Sequence, residues 1–189
     1  TDRTTMGRAW TMWKGNPTGW DLNPHTGGWP ALSFYLTLGI QLLYKGYQTL
    51  RTGGMEPGAF ANMVQRESNH LFLLARIINA LIGVLSVYLL FRIGRRAAGR
   101  TVGLIAAFLL AMNTLHILTS QHVMDPNLLA LLFVLLATEP MLAIVAGRGG
   151  LGDSVRAGAM IGLAGACKYV PLVLGLPFLW GHIENRNDR

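Results

Sequence analysis

Charge is scarce in this sequence. Only 13% of its 189 residues are Asp, Glu, Lys or Arg, where a soluble domain carries about 25%. Acids are the scarcer sign, nine against sixteen bases, for a net charge of +7. Cysteine is nearly missing. Cys167 stands alone in an apolar stretch, which excludes a disulfide framework and a Cys-based metal site. Internal repeats and low-complexity tracts are also missing. What the chain has instead is 51% hydrophobic residues and a mean hydropathy of +0.37, gathered into long runs that point to lipid as the solvent. The basic residues sit at the edges of those runs, as in the cytoplasmic loops of membrane proteins. Nucleic acid is therefore excluded as a partner, and the bilayer takes its place.

The runs predict membrane spans at Leu71 to Ile93, Val102 to Leu118 and Leu128 to Ala146. A last stretch, Val155 to Trp180, is interrupted by Pro171 and Pro177. Between the first two spans lies Gly94-Arg95-Arg96-Ala97-Ala98-Gly99-Arg100, preceded by Arg92 and free of acids. The positive-inside rule makes that loop cytoplasmic. By alternation residues 119 to 127 face outward and 147 to 154 inward. Everything before Leu71 that does not span is then extracytoplasmic. Met6, Ala9, Trp10 and Trp13 repeat at helical spacing, and two Trp beside basic residues suit a helix lying on the membrane surface. Residues 31 to 48 predict a second surface helix, since Gln41, Lys45 and Gln48 interrupt their apolar character. Were they to span, residues 1 to 30 would be cytoplasmic. The expected fold is an all-α, polytopic transmembrane bundle. A large extracytoplasmic first loop, residues 1–70, carries two membrane-surface helices. The transmembrane module covers residues 71–180, and residues 181–189 form a polar tail. The chain opens at Thr1 without a Met and stops just after an apolar run, so it reads as a fragment.

Four charged residues stand out. Asp125 is the only carboxylate between Glu67 and Glu139. With Pro126 opening the next helix, it is placed to cap that helix. Asp2 precedes the first amphipathic helix. Arg76 lies about one turn into a span, where a guanidinium is costly unless it snorkels or meets an anion. Lys168 lies about 18 Å into the stretch that begins at Arg156, at 1.5 Å per residue. Such a cation marks a functional site, or else it neutralises Glu139, which also falls within a span. Outward carboxylates suit deprotonation of an acceptor hydroxyl or the holding of charge or metal. Intramembrane cations suit the phosphate of a lipid-linked donor.

With these residues in view, the sequence resembles the GT-C membrane glycosyltransferases. More closely it resembles glycosyltransferase family 39, the protein O-mannosyltransferases and aminoarabinose transferases. The segments that carry the resemblance are Asp2 before the helix around Trp10, Leu22-Asn23-Pro24-His25, and Trp29-Pro30-Ala31-Leu32. They continue with Ala75-Arg76-Ile77-Ile78-Asn79-Ala80-Leu81-Ile82-Gly83, Gly94-Arg95-Arg96, the outward hairpin at Asp125, and Cys167-Lys168-Tyr169. The resemblance runs from residue 2 to about 180 and implies the topology read from charge. It implies an inverting transfer of a sugar from a polyprenyl-phosphate donor to a hydroxyl of a protein, lipid or glycan outside the cytoplasm, in the plasma membrane. Asp2 is the implied base and Asp125 places donor or acceptor. Arg76 and Lys168 meet the donor phosphate, and His25 and Tyr169 line the substrate site. Where the family has Asp-Glu, this chain has Asp2-Arg3, one carboxylate fewer for a divalent metal, and metal dependence is left open. The fragment alone is expected to be inactive. Two other readings remain, a transporter or lipid flippase, which also uses broken helices, and an inactive scaffold.

Overall fold

The computed structural model describes residues 2–13, 20–25, 27–54, 59–66 and 68–187, with no side chains described for 2–4, 64–66, 68, 182 and 184–187. Nine α-helices and no strand occur among the described residues. They are α1 (Asp2–Thr11), α2 (Leu32–Thr52), α3 (Ala59–Arg66), α4 (Ser68–Ala98), α5 (Arg100–Ala111), α6 (Thr114–Ser120), α7 (Pro126–Val145), α8 (Leu151–Cys167) and α9 (Gly175–Asn187). A 3₁₀ turn, Val170–Leu174, joins the last two. The chain is an all-α membrane protein. Asn69–Ala98 within α4 and Pro126–Val145 are each long and apolar enough to cross a bilayer.

The sequence predicts one straight span over Val102 to Leu118, and the structure corrects this. The run is two helices, α5 and α6, bent by 64°. The cause is local. Asn113 has an extended backbone, and its side chain accepts from His116 N at 3.0 Å, so it caps a new helix inside an apolar run. The last stretch breaks as expected, but at one proline only. Pro171 has no N–H and its ring crowds the carbonyl four residues back, so α8 stops at Cys167. Pro177 falls within the first turn of α9, where an N–H has no helical partner to lose. At the break Lys168 is extended, with φ −158° and ψ 139°. The chain then folds back, bringing Leu172 so close to Gly165 that a Cβ there would stand 2.3 Å from Leu172 Cδ2.

The basic turn between the first two spans is mostly helix. α4 runs on to Ala98, and Gly99, at φ +94°, reverses the chain into α5. Gly94 meets Gly103 backbone to backbone, since a Cβ on Gly94 would lie 2.8 Å from Gly103 Cα. α7 packs most extensively on α8 and also on α4. Leu71 and Ala75 of α4 meet Leu129 and Ala130 of α7 in one core, and Leu89 and Ile93 meet Leu132 and Leu135 in another.

The apolar stripe of α1 faces protein. Ala9, Met12 and Trp13 are buried with Leu38 of α2 and Phe60 of α3, where the sequence had suggested lipid. α3 itself is a third helix in residues 1–70, for which the sequence predicts two. α2 turns its polar side inward, burying Ser33, Thr37, Gln41 and Gln48 while exposing Leu43, Tyr47 and Leu50. Gln41 explains why this is tolerated. Its Oε1 accepts from Trp13 Nε1 at 2.8 Å, and its Nε2 donates to Met6 O at 3.0 Å, so the buried amide is satisfied at both ends.

Candidate functional site

The polar residues of one end of the bundle form a single chain of hydrogen bonds around the start of α7. Asp125 is buried and caps the helix, its Oδ1 accepting from Asn127 N at 2.8 Å and Leu128 N at 3.3 Å. The same oxygen accepts from Asn127 Nδ2 at 3.0 Å, and Oδ2 lies 3.3 Å from His122 Nδ1. With its amide N–H turned to Asp125, the side chain of Asn127 presents Oδ1 to Lys168 Nζ, which donates to it. Asn79 of α4 anchors the arrangement from behind, donating to Thr119 O at 2.8 Å and accepting from Asp125 N at 3.3 Å. Asp125 thus caps the helix, as the sequence predicts, and it also orients the amide that holds Lys168.

Lys168 does not neutralise Glu139. Glu139 accepts from Arg92 at 2.8 Å and from Arg96, both near the far end of α4. Fourteen residues separate Asp125 from Glu139 on α7, about 21 Å along the axis. Among the described residues Lys168 is in no ion pair, and its partner is a neutral amide.

Tyr169 continues from Lys168 in the opposite sense. Its hydroxyl donates to Gly28 O in the loop before α2. That loop is built by its own polar side chains. Asp21 Oδ1 accepts from Asn23 N at 3.0 Å, Asn23 Oδ1 accepts from His25 N at 2.8 Å, and Tyr35 OH donates to Leu22 O at 3.0 Å. Arg8 of α1 ties it down by donating to Pro24 O at 3.1 Å and His25 O at 2.6 Å. His25, at φ +49°, is exposed, and its Nε2 lies 2.7 Å from Asp21 Oδ2. His25, Trp29, Tyr35 and Tyr169 line a cavity of about 660 Å³.

The sequence-predicted residues therefore fall into three groups. Asp125 and Lys168 are joined through Asn127, and His25 and Tyr169 share a cavity next to them. Arg76 lines a different cavity, about 590 Å³ and largely apolar, between α4 and the bent pair α5 and α6. Asp2 opens α1, and its side chain lies outside the described residues. Among the described residues no group of three or more His, Cys, Asp or Glu side chains is assembled to hold a metal ion. Sequence reasoning missed Asn127, Asn79 and Arg8. An Asn directly after Asp-Pro at a helix start was the one available signal.

The sequence model of the dolichyl-phosphate-mannose-protein mannosyltransferase family matches residues 66–185. The chain belongs to that family. The match takes in α4 to α8, the break after α8 and most of α9, with Arg76, Asp125, Lys168 and Tyr169, and the resemblance read from the motifs is the same one. Membership makes the protein a membrane glycosyltransferase of mannosyltransferase type. No curated protein and no solved structure matches the chain.

Proposed function

We propose that this chain forms part of an inverting glycosyltransferase that moves a sugar from a polyprenyl-phosphate donor to an acceptor hydroxyl of a protein, lipid or glycan on the extracytoplasmic side of the plasma membrane. The observation that carries the reading is Lys168, an ammonium at a break in an apolar helix, held by a neutral amide and left without a carboxylate among the described residues. A cation kept in that way suits an anion that comes and goes, and a donor phosphate is such an anion.

In the reaction the acceptor oxygen attacks the anomeric carbon as the carbon–oxygen bond to phosphate breaks. The acceptor proton passes to Asp2, and the leaving group is polyprenyl monophosphate. Single displacement inverts the centre, as in inverting glycosidases. Lys168 stabilises the growing phosphate charge, and Asp125 positions it through Asn127. Arg76 stands one turn outward of Asn79 on α4 and offers a second cation from the separate, largely apolar cavity that it lines. In this reading residues 1–70 form the extracytoplasmic unit, residues 71–180 the multi-pass module and residues 181–189 its polar tail. The alternation read from Arg92 to Arg100 is supported by the pairing of Arg92 and Arg96 with Glu139, in the half of α7 remote from Lys168.

The test is Asp2→Asn in the complete protein, which keeps shape and capping ability but removes the proton acceptor. Transfer should fall by roughly 10² to 10⁴, the usual weight of a positioned base, with donor binding unchanged. Asp125→Asn, which still caps α7, should lower transfer by a smaller factor. Full activity in both variants would overturn the assignment.

A further inference from the structure

We infer that the cavity between α4 and the bent pair α5 and α6 binds a glycerophospholipid of the bilayer, with its phosphate at Arg76 and one acyl chain along the apolar wall. The inference stands apart from the donor reading, since Lys168, Asn127 and Asp125 line no part of this cavity. The first ground is shape. Asn113 starts a new helix at a 64° bend, and about 590 Å³ lies open between that bend and α4. From Arg76 to Val87 the cavity follows α4 for eleven residues, about 16 Å at 1.5 Å per residue. It opens sideways, with Ile77, Val84 and Ile117 exposed by 48%, 69% and 42%. In a bilayer such a cleft faces acyl chains. Left empty it forfeits dispersion contacts, and water finds few polar partners on this wall.

The second ground is charge. Asn79 donates to Thr119 O, and Arg76 and Gln121 both lie beyond that bond toward the outward hairpin, so they share one end of the cavity. Among the described residues that line it, Arg76 carries the one fixed charge, and none is an acid. A guanidinium at the head of an apolar cleft suits a phosphate, which its planar fork can meet with two N–H groups. The polar end and the apolar wall below it then match the two parts of a membrane lipid in order.

The third ground is the imidazole of His116, and it decides between lipids. His116 lines the cavity and is only 8% exposed, and its Nδ1 has no hydrogen-bond partner among the described residues. The ring stands beside Gly83, two turns inward of Arg76, where an added Cβ would lie 3.8 Å from Nε2. A buried ring nitrogen without a partner is costly, so the site calls for a polar atom at this depth. A polyprenyl chain is hydrocarbon from its phosphate inward and brings none. A diacyl phospholipid carries ester oxygens on its glycerol, inward of the phosphate, and an imidazole N–H can donate to one of them. Seated there, the lipid fills the wedge between α4 and the bent pair.

The experiment takes the complete protein, purified in mild detergent, and titrates it with phosphatidylglycerol while bound lipid is counted by native mass spectrometry. One molecule should bind more tightly than the rest. Arg76→Gln should weaken that binding by roughly tenfold, the weight of a hydrogen bond to a charged group. His116→Phe keeps a ring but removes its nitrogens, and should weaken it by about fivefold. Ala80→Phe, at an exposed position on the cavity wall, should abolish the tight binding by filling the cleft. Leu109→Phe, exposed on α5 outside the cavity, should leave it unchanged. An excess of polyprenyl monophosphate should not displace the phospholipid. Displacement would hand the cavity to the donor lipid and overturn the inference. So would equal binding by the wild type, Arg76→Gln and Ala80→Phe, since the lipid would then belong to the general belt around the helices. Absence of any tightly held lipid in the wild type would overturn it as well, whatever becomes of the donor reading.

Discussion

The two ends of α7 handle charge in opposite ways. At its C-terminal part Glu139 gathers Arg92 and Arg96 of α4, and the acid is fully matched by base. At its N-terminus Asp125 spends its oxygens on helix N–H groups and on the Asn127 amide, and only that amide touches Lys168. The first arrangement ties two parallel helices together across a partly apolar interface. The second leaves an ammonium with capacity for another anion, at a point where the helix backbone has come apart. The difference teaches that presence of a charge in an apolar helix says little by itself. What the charge is paired with decides whether it serves packing or chemistry.

The sharpest way to break the comparison is to exchange the roles of its two ends. Lys168→Met should lower sugar transfer by about 10² to 10³, the weight of one preorganised group facing developing charge, while the protein stays inserted. Glu139→Gln should leave transfer within a few-fold and lower thermal stability instead, because two guanidinium groups lose their carboxylate. The double variant should be as inactive as Lys168→Met alone. Recovery of transfer in that double variant would mean that Lys168 and Glu139 do neutralise each other, and the contrast between the ends would collapse.

A smaller effect tests the amide. Asn127→Leu removes the acceptor that orients Lys168 without touching the charge. The KM for the donor should rise about tenfold, the weight of a hydrogen bond to a charged group, with a lesser change in kcat. Asn127→Asp should place a carboxylate against the ammonium and also weaken donor binding, although the side chain keeps its shape. Unchanged KM in both would make Asn127 a helix-start residue and nothing more. The mildest test leaves activity alone and reads only position. In a Cys167→Ser background, Arg51→Cys should react with an impermeant thiol reagent from outside, and Ala98→Cys only after permeabilisation. Equal labelling would remove the sidedness on which the two ends are told apart.

Much of this arrangement was legible in the sequence, for identifiable reasons. Long apolar runs and clustered arginines are composition signals, so α4 and α7 and the basic turn at Gly99 came through. Asp125 as a cap followed from Pro126. The bend in α5 and α6 hung on one Asn in an apolar run, a signal too small to outweigh hydropathy. The inward face of α1 was misread because an apolar stripe looks the same whether lipid or α2 covers it. α3 was missed because it is only eight residues long and lies in a polar stretch. The partner of Lys168 was also beyond reach. Glu139 and Asn127 both stand on α7, and only the tertiary pairing of α4 with α7 sends Glu139 to Arg92 and Arg96.

The contact of Gly94 with Gly103 has a consequence for how the protein is built. Two glycines that touch backbone to backbone allow no slack at the corner where α4 meets α5. A methyl group on either would act as a wedge at the apex of a hairpin and drive its arms apart. The two arms are therefore held in register at their corner by backbone contact alone. The arginines that follow Gly94, Arg95 and Arg96, are then carried on a corner of fixed shape.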